Sequence, residues 1–176
     1  RTVIPGFIDG HTHFCNSTFE AIQVDCSTPP LDSLVQVLER LQVAAAAAEP
    51  GRWVRGWGFH QSRIRERRNP TRQDLDAIAP DHPVVVIDAS YHGCFVNSRA
   101  LELAGVDRHT SPNGKGIIVL DATGEPTGEL FETASDAPGT LSWRSYAERS
   151  PQGAIDLLEA NARRHLALGI TSVSDA

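Results

Sequence analysis

The amino-acid sequence predicts an α/β fold built on a parallel sheet, and three segments indicate it. The run VIPGFI at residues 3–8 has apolar residues on both faces, as a strand buried in a parallel sheet does. PVVVIDA at 83–89 is the clearest strand of the same kind. Near the end of the chain, a predicted helix leads directly into the strand ITSVSDA, and this order is half of a βα repeat.

The first third of the chain adds one helix and one strand to this plan. Thr28-Pro29-Pro30 is typical of a helix start, with a capping hydroxyl and prolines in the first turn. The apolar positions of 31–41 follow helical spacing, an alanine run over 44–48 continues the helix, and Glu49-Pro50-Gly51 ends it. RWVRGWGF at 52–59 then predicts a strand rich in aromatic and β-branched residues.

The remaining elements are recognised by their end signals. Thr71 and Asp74 fit a capping box for the helix TRQDLDAIA, and Asn97 caps a second short helix that Gly105 closes. GIIVLD and PTGELFE, joined by ATGE, predict a β-hairpin. Residues 133–150 show no clear period and are predicted to be irregular. Ser150-Pro151 begins the last helix.

Composition narrows the class of protein. The chain has 176 residues, enough for one domain with a substantial core, and its net charge of −6 argues against binding nucleic acid or an anionic membrane surface. No apolar run approaches the roughly 20 residues that span a bilayer. The three cysteines form no C-x-x-C pair, so reduced thiols in the cytoplasm are expected. The chain does not open with methionine and contains none, which is the pattern expected of an interior piece of a longer reading frame.

Two histidines, His11 and His13, follow the first predicted strand. Side chains two apart on an extended chain share a face, and two neutral imidazoles at a strand end offer adjacent coordination positions for Zn²⁺ or a similar metal. In parallel α/β barrels, catalytic groups lie at the carboxyl ends of the strands. The alternative is a pair of partly exposed histidines at the start of a loop.

The segment VIPGFIDGHTHF resembles the first barrel strand of the amidohydrolase superfamily, which carries Pro-Gly-hydrophobic-Ile-Asp-x-His-x-His there. Four further segments resemble the amidohydrolase-3 group of that superfamily, in order along nearly the whole chain. They are WVRGWGFHQSRI, PTRQDLDAIAPDHPVVVIDASYHGCFVNSRALELAGV, GEPTGELFETA and HLALGITSVSDA.

This resemblance implies a metal-dependent hydrolase on a (β/α)8 TIM barrel, of which the chain would be an incomplete part. Residues 1–14 would be the first barrel strand, 15–150 a large α+β insertion, and 151–176 a helix and the second barrel strand. A full barrel needs about 250 residues. His11 and His13 would bind one or two divalent ions, expected to be zinc, and the aspartate that serves as general base would lie outside this chain.

Other residues are candidates for binding substrate. The resemblance places His92, just after the strand at 83–89, near the substrate pocket; the alternative is a loop histidine. Glu132 at the end of the hairpin would bind substrate or reach the metal, or else is a solvated charge. Cys94 shares strand parity with His92, which permits a Cys–His nucleophile, although a buried free cysteine is the commoner case. Asp175 would neighbour the metal if its strand is the second of the barrel.

The sequence therefore supports two hypotheses of function. In the first, the parent enzyme hydrolyses a C–N bond of a small amide-type substrate with metal-activated water, and this chain supplies the HxH half of the metal site. In the second, the chain is a non-catalytic module that binds a ligand or partner. Neither nucleic acid nor a membrane is an expected partner, and self-association into a homo-oligomer stays open.

Overall fold

The computed structural model describes residues 3–175 and divides the chain into two compact units. One unit combines the residues up to Ile22 with those from Tyr146 onward, and the other spans Gln23–Ser145. Both units contain helices and strands, which confirms the predicted α/β class. Within the described residues, no helix is both long and apolar enough to cross a membrane.

The helices and strands of residues 3–175 are numbered in chain order. They are β1 (Phe7–Thr12), α1 (Phe14–Phe19), β2 (Val24–Asp25), α2 (Leu34–Ala47), β3 (Val54–Phe59), α3 (Arg72–Ile78), β4 (Val84–Asp88), β5 (Gly93–Val96), α4 (Ser98–Ala104), β6 (Ile117–Leu120), β7 (Pro126–Phe131), α5 (Asp136–Arg149), α6 (Pro151–Ala167) and β8 (Ile170–Asp175).

The first unit is built on the parallel pair of strands β1 and β8. Phe7 pairs with Ile170 and Thr12 with Asp175, so both strands end at the same edge. The predicted strand over 3–8 is wrong in its bounds, because the ladder with β8 begins only at Phe7. The prediction that this strand is buried on both faces is also wrong, since Phe7 is 58% and Ile8 76% exposed.

Helix α6 begins where the sequence predicts, with Pro151 as its first residue. The apolar side chains of this helix are not all buried, because Ile155 is 48% and Leu166 59% exposed. The buried residue of α6 is instead the polar Asn161, which is 5% exposed and contacts α1 through hydrogen bonds. A polar contact therefore joins α6 to α1.

The second unit contains a six-stranded mixed sheet in the order β2-β3-β4-β5-β7-β6. Strands β2, β3 and β4 are parallel, and the other pairs are antiparallel. The strands predicted at 52–59 and 83–89 are confirmed as β3 and β4, and the predicted hairpin is confirmed as β6 and β7. Strand β5 was not predicted, because a segment of only four residues that begins with a glycine gives a weak period-2 signal.

Each face of this sheet has its own core. Helices α2 and α3 cover one face, where Val84, Val86 and Phe95 pack against residues such as Leu41 and Leu75. Helix α4 packs on the other face. The buried residues there are Val85, Ile87, Cys94, Val96, Ala100, Leu101, Leu130 and Ala134. The alternation along β4 therefore divides its valines between two cores, as expected for a strand covered on both sides.

Three local predictions, two on helix starts and one on an irregular segment, can be compared with the structure. The capping box of Thr71 and Asp74 is present at α3. Helix α2 begins at Leu34 rather than at 28–30, and Ser33 is the residue whose hydroxyl accepts the capping hydrogen bond. The irregular segment predicted over 133–150 is wrong, because most of it forms α5; its proline and glycine lie in the first turn, where they interrupt few helical hydrogen bonds.

Asn97 connects three parts of the second unit. Its side chain is fully buried, and its Oδ1 accepts hydrogen bonds from the N–H of Val84 at 2.9 Å and of Ala100 at 3.0 Å. Its Nδ2 donates to the carbonyl oxygen of His82 at 2.8 Å. The predicted cap of α4 is therefore confirmed, and the same side chain also fixes the start of β4.

Candidate metal half-site and a histidine–glutamate pair

His11 and His13 lie at the carboxyl end of β1 in the first unit. His11 is within the strand, whereas His13 follows it and is the N-cap residue of α1. The two imidazole rings are 5.5 Å apart between centroids and inclined by 75°. Both residues are exposed. The structure thus brings together the two side chains that the sequence selected as metal ligands.

The distance between the rings can be compared with that of a metal site. Zn–N bonds of about 2.0–2.1 Å in tetrahedral geometry place the centres of two ligating imidazoles roughly 5 Å apart. The observed 5.5 Å is close to this separation, so the pair fits as two ligands of one ion. Among residues 3–175 there is no group of three or more His, Cys, Asp or Glu side chains able to hold a metal. Zinc sites use three or four protein ligands, so these two histidines alone are fewer than a complete site needs.

The turn that carries His13 is held by the end of β8. The carbonyl oxygen of His13 accepts the N–H of Ser17 at 2.8 Å, which starts α1, but the His13 side chain does not cap the helix. The carboxylate of Asp175 does so instead, accepting the N–H of Cys15 at 3.1 Å. The hydrogen bond from the Cys15 thiol lowers the pKa of Asp175 and raises the pKa of Cys15.

The second unit brings His92 and Glu132 together. Nδ1 of His92 lies 3.3 Å from Oε2 of Glu132, and the N–H of Glu132 donates to the carbonyl oxygen of His92 at 2.8 Å. The side chains are 72% and 46% exposed, respectively. This contact continues the antiparallel pairing of β5 with β7, in which Gly93 faces Phe131. The sequence selected both residues separately and did not predict that they touch.

The backbone around this pair adopts an uncommon conformation. Glu132 and Tyr91 have φ angles of 51° and 62°, in the left-handed region that non-glycine residues rarely adopt. Such strained residues concentrate at functional sites, where the surrounding structure enforces them. Here Asp88 contributes by accepting the N–H of Ser90 at 2.9 Å. Hydrogen bonds within the turn between β4 and β5 therefore help to fix the backbone that leads to His92.

A Cys–His nucleophile at Cys94 and His92 is not supported by the structure. Cys94 is fully buried between β4 and β7, and burial raises the pKa of its thiol to about 12. A thiol must be ionised and accessible to attack a substrate. Strand parity made this pair conceivable, but parity does not reveal that the face carrying Cys94 is a core.

We expect only one thiol in the native chain to react promptly with Ellman's reagent at pH 8. The hydrogen bond to Asp175 raises the pKa of Cys15, but this thiol is exposed, whereas Cys26 and Cys94 are fully buried and burial raises their pKa to about 12. Cys15→Ser should remove the prompt reaction, and Cys94→Ser should leave it unchanged. Prompt reaction of Cys94 in the folded chain would contradict this assignment.

Asn161 is a buried polar residue that was not among the candidates selected from the sequence. Its Nδ2 lies 3.1 Å from the carbonyl oxygen of Phe14, 3.2 Å from Ser17 Oγ and 2.9 Å from Thr18 Oγ1. A signal was present, because Asn161 falls on the same helical stripe as the apolar Leu158. A polar residue on that stripe indicates a buried hydrogen-bonding role.

Comparisons with known proteins identify the family of this chain. The sequence model of the amidohydrolase family matches residues 1–176. An N-substituted formamide deformylase of Arthrobacter pascens is 48% identical over 176 residues, which cover 100% of this chain and 32% of that protein. The exoenzymes regulatory protein AepA of Pectobacterium carotovorum subsp. carotovorum is 29% identical over 187 residues, covering 99% of this chain and 38% of that protein. The chain thus spans about a third of the length of these relatives.

Solved structures resemble the chain in fold. An uncharacterized metal-dependent hydrolase from Pyrococcus horikoshii OT3 superposes with a TM-score of 0.61 at 24% identity, covering 96% of this chain and 30% of that one. A metal-dependent hydrolase from Pyrococcus furiosus gives a TM-score of 0.59 at 24% identity, with 96% and 31% covered. At this level of identity, the likeness establishes the fold alone.

Proposed function

We propose a function from the premise that this chain belongs to the amidohydrolase family. In the full-length protein, the chain would supply His11 and His13 as two metal ligands of an enzyme that hydrolyses C–N bonds of amide-type substrates. The observation that carries this proposal is the pair of imidazoles 5.5 Å apart at the carboxyl end of β1. Activity is proposed for the full-length protein, since the chain spans about a third of its relatives.

We also propose that β1 and β8 are the first two strands of a (β/α)8 barrel. Their parallel pairing supports this assignment, as does the direct passage from α6 into β8. The proposed domains are residues 1–14 and 151–176 for the barrel part and 15–150 for the insertion. The separate compaction of 23–145 supports an inserted region of about that extent.

The proposed chemistry assigns a role to each candidate side chain. A bound divalent ion, proposed to be zinc with one or two ions per site, would acidify a water molecule and polarise the amide carbonyl. His11 and His13 would hold that ion through their neutral ring nitrogens. In the second unit, His92 would orient substrate: with its Nδ1 proton donated to Glu132, its Nε2 can accept a hydrogen bond.

The proposed substrate class is taken from the relative whose name states its substrate. Because an N-substituted formamide deformylase is 48% identical to the whole chain, we propose small N-substituted amides, with formamides first among them. This proposal concerns a small molecule, with neither nucleic acid nor a membrane as partner.

Removal and return of metal test this function. The full-length protein is expected to release formate from an N-substituted formamide, to lose at least about 100-fold of that activity after chelation, and to recover it with Zn²⁺. A matched sample incubated without chelator controls for loss of protein. Full activity after complete removal of metal would contradict the proposal. A metal-loaded protein that binds these amides without hydrolysing any of them would instead favour the non-catalytic binding module.

A further inference from the structure

The turn that carries His13 is held from two sides within the first unit. On the amide side, the Asp175 carboxylate accepts the N–H of Cys15 at 3.1 Å. On the carbonyl side, Nδ2 of Asn161 donates to the oxygen of Phe14 at 3.1 Å. Phe14 and Cys15 directly follow His13, and their partners lie 147 and 160 positions further along the chain. Helix α1 alone, at six residues, is too short to fix this turn.

The hydrogen bonding of Asn161 is unbalanced. All the contacts of its side chain are made by Nδ2, which also faces Ser17 Oγ and Thr18 Oγ1. Its Oδ1 is buried and has no hydrogen-bond partner among the described residues. A buried carbonyl oxygen without a partner destabilises the fold. The side chain of Asn161 therefore contacts the start of α1 through Nδ2 while its own Oδ1 makes no hydrogen bond.

We propose that Asp175 and Asn161 are positioning residues of the metal half-site. They fix the backbone after His13, so that its imidazole is aimed together with that of His11 before an ion binds. This inference rests on the proposed function, in which the two histidines are metal ligands. Neither residue coordinates the ion; each acts through the backbone that carries a ligand, as outer contacts of metal sites do.

The orientation of the His13 side chain depends on this backbone. His13 has φ −107° and ψ 65°, a conformation outside the regular strand and helix regions, between β1 and α1. The ring of His13 does not cap α1; the carboxylate of Asp175 caps it by accepting the N–H of Cys15. Capping by a residue from another strand leaves the imidazole to its proposed role while the helix start stays satisfied.

Zinc affinity of the full-length protein, measured by competition with a chromogenic chelator, tests this inference. We expect Asp175→Ala and Asn161→Ala each to weaken Zn²⁺ binding about 10- to 100-fold, the usual cost of losing an outer contact. Asp175→Asn, which keeps an acceptor oxygen for the same N–H group, should recover most of the affinity. The visible spectrum of bound Co²⁺ should change in the alanine variants, because it reports the geometry of the ligands.

Asp121→Ala is the matched control. Asp121 caps a turn of the second unit in the same way, with its Oδ1 accepting the N–H of Thr123 at 2.8 Å and of Glu125 at 3.0 Å. This variant removes an equal charge and similar bonds and should leave zinc affinity unchanged. The inference is overturned if folded Asp175→Ala and Asn161→Ala bind zinc like the wild type, or if Asp121→Ala weakens binding equally. If the wild type binds no zinc, the proposed function falls as well, which separates the two failures.

Discussion

Replacing His13 by alanine in the full-length protein is expected to lower the rate of amide hydrolysis by roughly 1,000-fold, with His11→Ala similar. Removing one of the two proposed ligands would weaken binding of the ion and displace it from the substrate. A bound metal stabilises the transition state by several kcal/mol, and each loss of about 1.4 kcal/mol lowers the rate tenfold. Initial rates of formate release measure the effect, with thermal unfolding recorded beside them.

His109→Ala is the control for this prediction. His109 is an exposed histidine of the second unit, outside both candidate sites, and its replacement should leave hydrolysis and unfolding unchanged. The assignment of His11 and His13 would be contradicted if either alanine variant, still folded, retained more than about a tenth of the wild-type rate.

Asn97→Ala is expected to lower the free energy of unfolding by about 3–7 kcal/mol. The substitution leaves the buried N–H of Val84 and the carbonyl oxygen of His82 without partners and removes the cap of α4. Each buried orphan costs about 1–3 kcal/mol, and a lost N-cap adds about 1 kcal/mol. Urea unfolding followed by circular dichroism measures the change.

Two further variants sharpen this stability test. Asn97→Asp keeps the acceptor oxygen but places a fully buried carboxylate against the carbonyl oxygen of His82, so its free energy of unfolding should fall at least as far as that of Asn97→Ala. Asn113→Ala changes an exposed asparagine and should stay within about 0.5 kcal/mol of the wild type. A loss below 1 kcal/mol in Asn97→Ala would show that Asn97 does not connect these elements as described.

The fold was predictable from sequence where the signal is local. The caps at Thr71 and Asn97 and the strand at 83–89 were found because they depend on neighbouring residues. The bounds of β1 were missed because they depend on its register with β8, more than 150 residues away. The helix within 133–150 was missed because its proline and glycine weigh against a helix unless their place in the first turn is known.

The candidate site shows the same division. The proximity of His11 and His13 was predicted from strand parity, although His13 lies just beyond the strand. The contact between His92 and Glu132 required the pairing of β5 with β7, and β5 has too weak a pattern to predict. The hydrogen bond of Asp175 to the turn after His13 depends on register across the parallel pair, which a single sequence does not reveal.

Metal content by plasma mass spectrometry tests the central claim most directly. The purified full-length protein is compared with a His11→Ala/His13→Ala double variant prepared in the same way. The proposed half-site predicts near-stoichiometric zinc in the wild type and little or none in the folded double variant. Equal metal in both proteins, or none in either, would contradict the assignment of these two histidines as metal ligands.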